Sequence, residues 1–166
     1  MNLIFDLSQV DLNNMIMSES KQNAIMDGSF TKIIYSDGNV STNGLYINFP
    51  MQIQSVETNL NKNIFKFNIH QSVNSEMIHA ISRIETQILQ FYKQFYKCDK
   101  TPTFILYDHL NYGNIKINMI DSLVAQNREH SNIFHPVLQK SLYIKISGIW
   151  ETTSSFGITY KFIETK

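Results

Sequence analysis

With 166 residues, 43% of them hydrophobic and 17% charged, the chain has the size and apolar content of one folded domain, not of a disordered protein. Its formal net charge is zero, from 14 Lys and Arg against 14 Asp and Glu, which excludes the global basic field that drives non-specific nucleic-acid affinity. The balance is uneven: residues 1–57 hold two lysines against six acids and residues 58–166 hold twelve cations against eight acids, so a polyanion is expected to meet the second part.

In chain order, Leu3, Phe5 and Leu7 alternate with polar or outward positions as a short first strand, and Ser8 to Ser20 carries no clear period. Phe30 to Ser36 and Leu45 to Phe49 are β-branched or aromatic, and the turn residues Ser36-Asp37-Gly38-Asn39 between them predict a hairpin. Phe65 to Ile69 alternates as a half-buried strand with Lys66 on its polar side. Ser72 or Asn74 is placed to cap a helix in which Met77, Ile81, Ile84, Ile88, Phe91 and Phe95 form one apolar stripe, ending before Pro102. Its four-three spacing also matches the seam of a short coiled coil. Thr103 to Tyr107 and Ile115 to Ile120 read as strands joined through Asn111-Tyr112-Gly113-Asn114, and Asp121 to Lys140 stays unassigned. Leu142 to Trp150 and Phe156 to Ile163 form a closing hairpin around the loop Glu151 to Ser155. The sum is a single domain over 1–166 of mainly β (α+β) class: a small OB-like β-barrel or sandwich with one long amphipathic helix across it.

Cys98 is the lone cysteine, which excludes an internal disulfide and points to a reducing compartment. Met1 to Val10 holds an acid and no long apolar stretch, so no secretory signal is expected, and no run is long and apolar enough for a bilayer. The expected setting is the cytosol or nucleus, without a membrane partner. Arginine occurs only at Arg83 and Arg128, and the excess of Ile, Asn, Lys and Tyr is that of an A/T-rich genome.

No catalytic constellation stands out. Asp108-His109 and the group Glu129, His130 and His135 are the dense clusters, without a second ligand pair at zinc-like spacing. There is neither a Gly-rich phosphate loop nor a G-x-S-x-G elbow. Neither a catalytic residue, a metal nor a cofactor is assigned, and no enzyme is expected; a hydrolase using Asp108, His109 or His135 is the weakest of the readings. More suggestive are aromatic residues beside lysines on strand faces: Lys32 with Tyr35, Tyr46, Lys66, Tyr112 with Lys116, Tyr143 with Lys145, and Tyr160 with Lys161. Rings stack on bases while ammonium groups meet phosphates, the combination that holds single-stranded nucleic acid. The bland alternative is that Tyr and Lys simply decorate exposed strands. Trp150 joins the set as either a core anchor or a stacking platform, and Gly148 and Gly157 beside it mark a bulge or close backbone approach.

The segments Asp27-Gly28-Ser29-Phe30-Thr31-Lys32-Ile33-Ile34-Tyr35-Ser36, Asn43-Gly44-Leu45-Tyr46, Ser147-Gly148-Ile149-Trp150-Glu151 and Phe156-Gly157-Ile158-Thr159-Tyr160-Lys161-Phe162 carry a resemblance. They resemble small proteins of large double-stranded DNA viruses of eukaryotes, among them OB-fold single-stranded DNA-binding proteins. That resemblance implies a role in viral DNA replication or in a factory within the infected cell. The expected partner is single-stranded DNA, with RNA as the other polynucleotide. The rival expectation is a viral structural or assembly protein, oligomeric through the helix at 77–95 or through sheet edges.

Overall fold

The computed structural model describes residues 3–22, 27–118 and 141–165. Two 3-10 turns, Leu7–Gln9 and Leu12–Asn14, precede the strands β1 (Met15–Met17), β2 (Lys21–Gln22), β3 (Ser29–Ser36), β4 (Ser41–Thr42) and β5 (Leu45–Asn48). A hairpin of β6 (Ile53–Asn59) and β7 (Lys62–Phe67) leads to helix α1 (Ser72–Phe95), then β8 (Thr101–Thr103), helix α2 (Ile105–Asn111) and β9 (Asn114–Asn118). The long strands β10 (Ser141–Glu151) and β11 (Ser155–Thr165) close the described chain. The class is mainly β, with mixed sheets and two helices.

The larger, 8-stranded sheet follows the path β1-β3-β10-β11-β8, and β6-β7-β9 forms a second sheet. Among the described residues neither path returns to its first strand, so the expected barrel is not closed here. β10 is the spine. Its whole length pairs antiparallel with β11, while its other edge takes β5 against Tyr143 to Ile146 and β3 against Gly148 to Glu151. The pairing with β11 slips between Ile146 and Gly148, the bulge that the two glycines foreshadow. β8 joins β11 in parallel. One buried cluster unites both sheets and both helices: Ile33, Leu45 and Ile47, Phe65 and Ile115, Ile81 and Ile88, Leu106, Ile149 and Phe156 all belong to it. Each such side chain contributes about 1.5–3 kcal/mol on leaving water.

Three local expectations are corrected. Thr103 to Tyr107 is not a strand: β8 stops at Thr103, and Ile105 onward is helical because Glu85 of α1 accepts the backbone N–H groups of Leu106 (3.0 Å) and Tyr107 (2.9 Å), supplying the cap that the local sequence lacks. The segment Leu45 to Phe49 does not pair with β3 as a hairpin; the two-residue β4 takes that role, and β5 turns away at Gly44 to join β10. The first strand reduces to a parallel bridge of Phe5 with Ile47. The last two residues of the expected strand Ile115 to Ile120, with Glu129, His130 and His135, lie outside the described residues.

α1 begins at Ser72 with Gln71 as its N-cap, so neither Ser72 nor Asn74 caps it. Asn74 is instead buried, its carboxamide holding the backbone of Gln52 (N at 2.8 Å, O at 3.1 Å) and the Asn68 carbonyl (2.9 Å). The inward stripe runs through Ile78, Ile81, Glu85, Ile88 and Tyr92, leaving Phe91 and Phe95 of the expected stripe 41% and 68% exposed. The side of α1 that packs inward is therefore shifted past Phe91, and these two rings stack on each other outside the core. Among the described residues no helix is long and apolar enough to cross a membrane.

Candidate nucleic-acid interface

Alternation along β10 sends Leu142, Ile144, Ile146 and Ile149 into the core and turns Tyr143, Lys145, Gly148 and Trp150 to the opposite face. Residues directly opposed in an antiparallel pair share a face, so the register assembles cross-strand rows on that outer side. One row is Lys21, Phe30, Trp150, Gly157; the next is Lys32, Gly148, Thr159; the third is Tyr46, Lys145, Lys161. The strand positions of these rows hold no Asp or Glu.

The two glycines give the aromatic rings somewhere to lie. A Cβ at Gly157 would sit 2.6 Å from Trp150 Cζ2, and one at Gly148 would sit 2.4 Å from Phe30 Cζ. Trp150 is thus half-buried against the sheet, neither a core anchor nor a free side chain, and Phe30 beside it went unnoticed in the sequence because its lysine neighbours drew attention to tyrosines instead. Lys145 and Lys161 face each other in register, an arrangement that costs stability between like charges. Lys145 gains a partial offset from the Tyr46 ring, whose centroid is 5.1 Å from its Nζ.

The other expected residues divide. Tyr46 and Tyr143 lie on this face at 6% and 8% exposure, too covered to receive a base, and burial pushes the Tyr143 hydroxyl up. Tyr35 belongs to the core, where its hydroxyl accepts from the Asp11 N–H at 3.0 Å. Tyr160 points inward, away from Lys161: its hydroxyl meets His109 Nδ1 at 2.8 Å and donates to the Ile105 carbonyl at 3.3 Å. Burial, with the nearby Glu85 charge, pushes Tyr160 up to about 12. Lys66 and Lys116 sit apart on the small sheet, where Lys66 pairs with Glu57 at 2.5 Å, and Tyr112 is the C-cap of α2 just before β9. The outer face of the large sheet draws lysines from both parts of the sequence, Lys21 and Lys32 from the acidic first part and Lys145 and Lys161 from the second.

Beneath the outer face, Glu151 accepts from the Tyr92 hydroxyl (2.7 Å), pairs with Lys100 (2.5 Å) and lies 3.8 Å from the buried Cys98 Sγ. Burial opposes its ionisation, but Lys100 and the Tyr92 hydroxyl outweigh that and hold its carboxyl below the usual value. This pairing fixes the end of β10 from which Trp150 projects. Among the described residues no three His, Cys, Asp or Glu side chains gather as metal ligands.

Compared with known proteins, the chain matches no family model, no curated protein and no solved structure.

Proposed function

We propose that the protein binds single-stranded nucleic acid, with single-stranded DNA as its first ligand, along the outer face of β3, β10 and β11. The observation that carries this reading is the register itself: Lys145 opposite Lys161, Lys32 in the next row, and the Phe30 and Trp150 rings laid flat beyond them without a strand carboxylate among them. Phosphates relieve the lysine repulsion, and bases stack on the side of the indole that faces away from Gly157. Three of the four segments that resemble small proteins of large double-stranded DNA viruses, among them OB-fold single-stranded DNA-binding proteins, fall on these strands and the fourth reaches β5, which supports a role in replication of a large DNA virus and an OB-like ancestry for the open sheet.

The test is fluorescence anisotropy with labelled oligo-dT and a matched duplex, at low and moderate salt, while Trp150 emission is followed. Salt-sensitive binding to the single strand with quenching of Trp150 is the expected result. Joint replacement of Lys21, Lys32, Lys145 and Lys161 by Glu should abolish it; unchanged binding by that variant, with its fold intact by circular dichroism, defeats the assignment.

A second reading, an assembly protein, draws on the stacked and exposed Phe91 and Phe95, whose centroids are 5.8 Å apart. It requires a defined oligomer in the absence of nucleic acid, which sedimentation at high concentration measures.

A further inference from the structure

Beyond the end of β7, the chain leaves the sheet and meets the turn between α2 and β9, and an open groove of about 550 Å³ lies between them, lined in part by Gln54, Lys66, Asn68, Asn111, Tyr112 and Asn114. Its size falls in the roughly 300–1,000 Å³ range of small-molecule sites, but its walls depart from the usual apolar lining. Four of these side chains are carboxamides, each with two donors and an acceptor.

Their own bonding leaves much of that capacity open. Asn111 Nδ2 donates to the Tyr107 carbonyl and Asn114 Nδ2 to the Tyr112 carbonyl, while Asn68 Oδ1 accepts from the His70 N–H. Among the described residues, the side-chain carbonyl oxygens of Asn111 and Asn114, the amide group of Asn68 and the side chain of Gln54 have no hydrogen-bond partner. Lys66, a cation among the lining residues, pairs with Glu57 at 2.5 Å, which offsets part of its charge. Tyr112 joins the lining at 77% exposure, a ring that no core packing requires.

Adjacent donors and acceptors match vicinal hydroxyl groups, which donate and accept side by side, and an exposed ring offers a flat surface for the C–H face of a pyranose. An anionic ligand would compete with Glu57 for Lys66. We propose that this groove binds a neutral saccharide, with the sugar ring over Tyr112 and its hydroxyls on Gln54, Asn68, Asn111 and Asn114. The proposal stands independently of the nucleic-acid interface, which lies on the other sheet.

The probes are maltotriose and chitotriose, with uridine as a comparison, titrated into the full-length protein and followed by amide chemical shifts. Saturable shifts confined to residues around Gln54, Asn68 and Asn111 to Asn114, in the millimolar range, are expected for at least one trisaccharide. Tyr112→Ala and Gln54→Ala, both at exposed positions, should each weaken that binding by about tenfold while thermal melting and oligo-dT binding stay unchanged. No saturable shift with either trisaccharide overturns the proposal. So does equal binding of uridine at the same residues, or full retention of sugar binding by Tyr112→Ala.

Discussion

Glu85 has no exposed surface, yet it carries an ionisable group inside the core and uses both oxygens to hold the first turn of α2. Burial pushes its carboxyl above the usual value, against the two N–H groups that favour the charge, and Asp108 adds to the rise. A raised pKa means the folded state binds the proton more tightly, so this contribution to stability is full below pH 4.5 and is lost as pH climbs through the folded value. Urea midpoints for the wild type should therefore fall over that window, and Glu85→Gln should flatten the slope. Glu85→Ala leaves two buried donors unpaired and should cost about 2–4 kcal/mol below pH 4.5, with the cost shrinking as pH climbs, measured by the same unfolding curves. At this scale the sequence is least legible: a glutamate in an amphipathic helix reads as solvent-facing, and only the fold shows that it serves another helix. His109 shows the opposite sign, since burial and the Lys116 charge lower its pKa; stability it provides is present above its ordinary value of 6.5 and is lost as pH falls through the folded one.

Among the elements, those with strong local periodicity were readable and those held by distant partners were not. The β10 and β11 hairpin follows its alternation almost residue for residue, and α1 is present over the span its spacing predicts. β6 escapes notice because Gln54, Ser55, Glu57 and Asn59 leave it no apolar face to read. Of the candidate site, the lysines of β3, β10 and β11 do share a side, whereas Tyr35 and Tyr160 point inward, since facing follows register and not residue type. Two substitutions separate the roles. Ile88→Ala should cost about 2–5 kcal/mol by urea unfolding. The pair Phe91→Ser and Phe95→Ser, outside the core, should cost little in the same assay. Gly157→Ala forces a methyl group against the Trp150 ring and should shift its emission and cost about 1–3 kcal/mol, a change that Gly38→Ala, with open space around it, does not reproduce through contact.

For the molecule as a whole, zero net charge combined with a lysine-bearing face means that attraction to a polyanion is local, and ionic strength governs it over a short range. The sheet is also built around its latest strands. β3, β5 and β8 all attach to β10 or β11, although each is made long before either. Removing residues from Ser155 onward should abolish the cooperative urea transition altogether instead of lowering its midpoint. On the ribosome, the early strands emerge with open edges and no spine to receive them, and the three pairings that join β3 and β5 to β10 and β8 to β11 span a wide separation in sequence. Folding of the large sheet therefore waits until β10 and β11 have been made, and a copy terminated before them exposes strand edges ready to pair with a neighbour's, so such errors in translation would yield aggregates and not a shortened but working protein.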